Sequence, residues 1–303
     1  MLFDRPNIGW ESEQLIEALS SRNCITRATA AEVLGSKKDR VAIKPLFRLL
    51  RDKDGSVRWR AAESLESLIG DEDIELLLSG VKDEHEGVRF WSVYLLGRCR
   101  FSKDVVPYLI SALKDDNHEI RAIAAQSLEL VGDERAIPPL LEAMRDEWKG
   151  ARLSVFGAIK KLVSENKNKI DAELFLKGLE DDYPDVRFVS AFFLGELGDS
   201  RALTPLLDLI DDINEDVNVR QWAAYALGRM DDDRAFVRLI DLVNGEKSPI
   251  VRRMALRSLG EMALRNPEYV KQAEACITSV LEDEDVILLG LAQGMLARLQ
   301  KNR

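Results

Sequence analysis

The chain has 303 residues, 46% hydrophobic and 32% charged with only nine prolines, a balance that suits an ordered helical protein and excludes a disordered one. Its 43 basic and 53 acidic residues leave a net charge of −10, which argues against non-specific nucleic-acid binding because that requires neutralised phosphates. Three scattered cysteines, Cys24, Cys99 and Cys276, form no CxxC pair and read as reduced thiols mostly buried in helices. The N-terminus shows no basic flank followed by an apolar stretch, and no apolar run is long enough for a membrane span. The expectation is a soluble, cytoplasmic protein with neither nucleic acid nor membrane as partner.

Residues 1–11 read as an N-terminal extension, and from residue 12 onward the chain repeats itself. The anchors of the repeat are Thr26-Arg27, Val57-Arg58, Val88-Arg89, Ile120-Arg121, Ala151-Arg152, Val186-Arg187, Val219-Arg220 and Val251-Arg252. The steps between successive arginines are 31, 31, 32, 31, 35, 33 and 32 residues. A period of that size means stacked supersecondary units in place of one growing core. The first unit has Ser21 where an aspartate belongs, and the ninth is anchored by Asp283 with Leu289 in the arginine slot. Both departures are what capping units show.

Each unit predicts two amphipathic helices. In the fourth and fifth, Gly132 is placed to end one helix and Asp133 to open the next. Pro45, Pro107, Pro138 and Pro205 stand near helix starts, where a missing N–H costs little. After the arginine come small residues at three and four positions, as in Ala124-Ala125, and an apolar branched residue at seven, as in Leu128. These share one face and let helices approach closely. Six residues before the arginine stands an aspartate: Asp52, Asp83, Asp115, Asp146 and Asp181. Such acids and arginines predict a partly buried ladder of charge-assisted bonds that holds the units together, with Asp83, Asp115 and Asp146 each in reach of a repeat arginine. Unit five ends in a polar stretch, Lys160 to Asp171, which predicts a longer helix and a hinge near 160–171 within a single domain of residues 12–303. An ordinary loop insertion is the alternative there.

This grammar resembles the HEAT repeat, and specifically the short HEAT-like repeats of phycobilin lyase subunits, over essentially the whole chain. The resemblance implies an all-α fold, a right-handed α-α superhelix of the HEAT/armadillo type with about nine helical hairpins. It also implies that the first helices face outward and the second helices line a concave surface.

Motifs for catalysis are nearly absent: there is no GxxxxGK, GxGxxG, HExxH or GxSxG. His85-Glu86 and His118-Glu119 resemble the His-Glu pairs of deoxyhypusine hydroxylases, but they precede the arginine by different offsets, so no metal and no cofactor is expected. The aromatic residues say more. Arg89 is followed by Phe90, Trp91, Tyr94 and Arg98, and Arg220 by Trp222, Tyr225 and Arg229, with Trp59 nearby in the chain's second unit. Trp, Tyr and Arg at two, five and nine after the anchor lie on one helix face, apart from the alanine–leucine face. The tryptophan slot elsewhere holds Thr29, Arg60, Ile123, Ser154, Val189 and Met254, so packing does not demand the ring. These residue types dominate binding hot spots. The other reading is that the rings fill space between helices. The same segments resemble the aromatic-rich second helix of phycobilin lyase E/F-type subunits. The leading functional expectation is a non-enzymatic scaffold, adaptor or assembly factor that binds another protein on its concave face. The alternative is a lyase or chaperone subunit, with a bilin stacked on the tryptophan–tyrosine rows.

Overall fold

A computed structural model describes residues 5–99, 101 and 104–301. Among them the chain is helical throughout and contains no strand. It divides into two compact units, Met1–Glu165 and Asn166–Arg303.

The first unit holds five hairpins. They are α1 (Ser12–Ala18) with α2 (Cys24–Lys37), α3 (Ile43–Leu49) with α4 (Gly55–Leu68), and α5 (Ile74–Gly80) with α6 (Glu86–Arg98). The remaining two are α7 (Val106–Ala112) with α8 (His118–Val131), and α9 (Ile137–Ala143) with α10 (Lys149–Asn166). The second unit holds α11 (Glu173–Gly178) with α12 (Pro184–Leu197), α13 (Leu203–Asp211) with α14 (Val217–Leu227), α15 (Asp233–Gly245) with α16 (Pro249–Arg265), and α17 (Val270–Ser279) with α18 (Val286–Lys301). The pairing of the helices matches the repeat period. At 18 residues α10 is the longer helix expected of the fifth hairpin.

Local chemistry fixes the ends of these helices. Side chains of Asn23, Asp54, His85, Asn117 and Asp216 accept the backbone N–H two residues on and so cap α2, α4, α6, α8 and α14. Gly132 ends α8 at φ +78°, the left-handed conformation that glycine adopts without a Cβ penalty.

The ladder exists, and its pairing runs between hairpins. Each of six arginines grips the carboxylate that opens the following hairpin's second helix. The pairs are Arg27–Asp52 at 2.6 Å, Arg89–Asp115 at 2.7 Å, Arg121–Asp146 at 2.5 Å, Arg187–Glu215 at 2.6 Å, Arg220–Glu246 at 2.5 Å and Arg252–Asp283 at 2.7 Å. What an arginine takes from the acid of its own hairpin is the main-chain carbonyl: Arg58 Nη1 donates to Asp52 O at 2.8 Å, Arg89 to Asp83 O at 3.0 Å and Arg121 to Asp115 O at 2.9 Å. One expectation fails. Asp83 pairs with Arg51, which follows the short helix α3 of the preceding hairpin and is not a repeat arginine.

Burial works to raise the pKa of Asp146, Asp52 and Glu246. The guanidinium facing each carboxylate, together with backbone N–H donors, outweighs burial and holds all three below their ordinary values. A depressed folded-state pKa contributes stability that is complete above the unfolded pKa and is lost as pH falls through the folded one. The unfolding temperature should therefore stay level from pH 7 down to about 5 and fall steeply below about 4. A scanning-calorimetry series at constant ionic strength checks this, and a midpoint that peaks near pH 3 would contradict it.

Second helices of successive hairpins pack side by side along a stripe of small residues, with Ala30, Ala31, Ala61, Ala62, Ala124 and Ala125 fully buried. Cross-hairpin hydrogen bonds accompany the close approach: Ser64 Oγ donates to Ala31 O at 2.8 Å, and Ser127 Oγ to Val93 O at 2.9 Å. Ser92 occupies an alanine slot of the stripe, and its buried hydroxyl has no partner among the described residues. Ser92→Ala should therefore leave stability unchanged or raise it by about 1 kcal/mol, since an unsatisfied buried hydroxyl is removed. Urea denaturation of the variant reads this directly. A loss of more than about 1 kcal/mol would show that the hydroxyl is satisfied after all.

Candidate functional site

Two aromatic clusters stand out, one in each unit. On α6, Trp91 and Tyr94 are half-buried, while Ser92, Val93 and Leu96, which fill the alanine and leucine slots of the same helix, are enclosed. The rings meet edge to face: Phe90 on Trp91 at 5.1 Å and 82°, and Trp91 on Tyr94 at 5.3 Å and 80°. The Arg98 guanidinium lies 5.2 Å from the centre of the Tyr94 ring, a cation–π distance, and its Nε is 2.9 Å from Glu66 Oε1 on α4. Burial and the Glu66 charge push the Tyr94 hydroxyl above its ordinary pKa. Trp59, on α4, is 46% exposed and carries the Arg60 guanidinium 4.5 Å from its ring centre. It contributes no ring contact to the Trp91 group among the described residues.

On α14 the arrangement repeats with one addition. Trp222 and Tyr225 meet edge to face at 5.4 Å, and Phe192 from α12 contacts both, edge-on to Trp222 at 5.1 Å and stacked on Tyr225 at 5.5 Å and 20°. The Tyr225 hydroxyl donates to Glu196 Oε1, and burial together with that carboxylate pushes its pKa up to about 12. Arg229 lies just beyond the end of α14, with Nε 3.6 Å from the same glutamate oxygen.

The structure thus brings together Phe90, Trp91, Tyr94 and Arg98 in one cluster and Trp222, Tyr225 and Arg229 in the other. Sequence reasoning missed the two glutamates. Each comes from the preceding second helix and neutralises the terminal arginine of its cluster. The readable signal was an acid eight or nine residues after the previous hairpin's arginine. These pairs are roughly half exposed, so each is worth about 1 kcal/mol or less and is open to exchange with a partner's charge.

Residues suited to chemistry are used otherwise. His85 caps α6, and the His118 ring packs on Trp148 at 4.4 Å. Burial pushes the Cys99 and Cys276 thiols up to about 11, which leaves both protonated at neutral pH and poor nucleophiles. Cys276 lies buried within α17, while Cys99 follows α6 and so lies outside a helix. Among the described residues no group of three or more His, Cys, Asp or Glu side chains could hold a metal ion. No helix among them is long and apolar enough to cross a membrane.

Helical hairpins stacked through their second helices, tied by an inter-hairpin arginine–carboxylate ladder, define an α-solenoid of the armadillo type. Its family follows from the sequence match: the model for HEAT repeats covers residues 12–97, 74–160 and 172–260. The chain belongs to the HEAT-repeat family. No curated protein matches it. Among solved structures it is similar to a Kap121p mutant, at a TM-score of 0.74 and 13% identity over 100% of this chain and 38% of that one. It is also similar to importin beta, with a TM-score of 0.70 and 15% identity over 96% and 46%, and to Kap95p in a structure with RanGDP, with 0.66 and 14% over 95% and 46%. The chain spans less than half the length of these three proteins. At such identities the likeness is one of fold.

Proposed function

We propose that the chain is a non-enzymatic protein-binding scaffold or adaptor, and that the clusters around Trp91 and Trp222 anchor its partner on the concave side of the second helices. The observation that carries this reading is the pair of half-exposed tryptophan–tyrosine contacts, held edge to face at 5.3 and 5.4 Å on packed helices. Rings fixed in this way lose little rotamer freedom on binding, so their burial is converted efficiently into affinity. Other second helices carry Thr29, Ser154 or Met254 in the tryptophan slot, so the repeat does not require the ring. Kap95p, which shares the fold, binds RanGDP, so a solenoid of this kind accommodates a protein partner.

The test is affinity capture from the native host with wild-type protein and with the Trp91→Ala/Trp222→Ala double variant, followed by titration of whichever protein the wild type retains. Each substitution should weaken binding about 30-fold, the scale of a hot-spot tryptophan. The fold should survive both. A double variant that binds the retained protein normally would overturn the reading. So would an eluate that contains a visible-light-absorbing tetrapyrrole and no protein.

A further inference from the structure

One arginine of the ladder in the first unit has no carboxylate. Arg27, Arg89 and Arg121 each hold the acid of the next hairpin, but the acid due to Arg58 is Asp83, and Arg51 holds that at 2.5 Å. Among the described residues no carboxylate lies within ion-pair distance of the half-buried Arg58 guanidinium, whose Nη1 donates only to Asp52 O. A guanidinium has five N–H donors, so most of this one's capacity stays open. It borders a small cavity of about 130 Å³, lined also by Gly55, Gly87, Phe90, Trp91 and Asn117 and by two exposed carboxylates, Glu86 and Glu119. One oxygen of Glu86 accepts a hydrogen bond from Asn117 Nδ2 at 3.2 Å.

We infer that the Arg58 cavity receives a single carboxylate from a bound polypeptide, an acidic side chain set within a neutral or basic stretch. This deepens the protein-binding reading and rests on it, because the cavity opens beside Trp91. The fork geometry of a guanidinium matches a carboxylate, and the cavity has room for one such group. Glu86 and Glu119 repel any anion in proportion to its charge and attract flanking lysines, so the site takes a singly charged carboxylate only from a neutral or basic stretch and discriminates against a multiply charged anion such as phosphate.

The probes are acetyl-Lys-Gly-Glu-Gly-Lys-amide, the same peptide with glutamine in place of glutamate, and inorganic phosphate. They are titrated into the full chain while the Trp91 indole N–H is followed by NMR, its signal assigned through Trp91→Phe. The glutamate peptide should give a saturable shift. The glutamine peptide and phosphate should bind about tenfold more weakly or not at all, the loss expected for a charge-assisted bond. Arg58→Gln should weaken the glutamate peptide by a similar factor. Arg51→Ala, on an exposed side chain, should weaken it too, because it frees Asp83 to close on Arg58 as in the neighbouring hairpins. Equal shifts from the two peptides, or wild-type binding by Arg58→Gln, would overturn the assignment. If Arg58→Gln fails to fold, Arg51→Ala decides alone: unchanged probe binding in that variant overturns it. Failure here leaves the capture experiment with the tryptophan variants standing, since that experiment does not involve Arg58.

Discussion

Gly97→Ala should destabilise the protein by about 3 kcal/mol, near the top of the range for overpacking a close helix contact. A Cβ at position 97 would lie 2.4 Å from Ser127 Cβ and 2.6 Å from Ser127 Cα on the neighbouring second helix. Because the Cα is backbone, no rotamer change relieves the clash; α6 and α8 must move apart. Their separation would also stretch the hydrogen bond from Ser127 Oγ to Val93 O. In an ordinary helix interior the same substitution stabilises by up to about 1 kcal/mol, so the predicted sign is opposite to the helix-propensity effect. Chemical denaturation of the variant checks it. A neutral or stabilising result would mean that the second helices are not packed at glycine distance.

Arg121→Ala should cost roughly 3 kcal/mol, at the lower end of the range for breaking a buried pair because water reaches the rim. The Asp146 side chain is 6% exposed and would lose its hydrogen-bonded cation, keeping only the more distant charge of Arg152, while the carbonyls of Asp115 and Asp116 would lose their donor. Asp146→Asn is the informative companion. It keeps the shape and the acceptor for the Trp148 N–H, so it should cost less than the arginine deletion. Because one carboxylate would no longer need to be protonated, the Arg121→Ala/Asp146→Asn double variant should also unfold with a shallower dependence on acid pH than the wild type. Thermal midpoints of the three variants between pH 3 and 7 measure both effects. Arg121→Ala with an unchanged midpoint would show that the ladder is decorative.

The fold was legible because the sequence repeats it eight times over. Successive arginines return after nearly one period, and Gly132 and the start-of-helix prolines mark the turns of individual hairpins. The partners within the ladder were not legible. Asp115 lies six residues from Arg121 along the chain, yet its carboxylate belongs to Arg89, 26 residues away, because the guanidinium reaches across to the next hairpin. Glu215, five residues before Arg220, and Glu246, six before Arg252, complete the ladder where aspartate is replaced by a side chain one methylene longer, which a search for aspartate passes over. Nor does sequence show that Arg51 takes Asp83, since that depends on which of two arginines is better placed in space. The aromatic clusters were readable as helical stripes on α6 and α14. The packing of Phe192 against both Trp222 and Tyr225, and the neutralisation of Arg98 and Arg229 by glutamates one hairpin earlier, come from contacts between helices that no single-helix pattern encodes.

Protein binding through the aromatic clusters is tested most directly by site-specific photocrosslinking in the native host. Benzoylphenylalanine is placed at Tyr94, at Tyr225 and, as a control, at the exposed Lys44 on the short helix α3. The account predicts discrete protein adducts from positions 94 and 225, the same partner band from each, and none from position 44. Adducts that are equal at all three positions, or absent at 94 and 225 while present at 44, would contradict it.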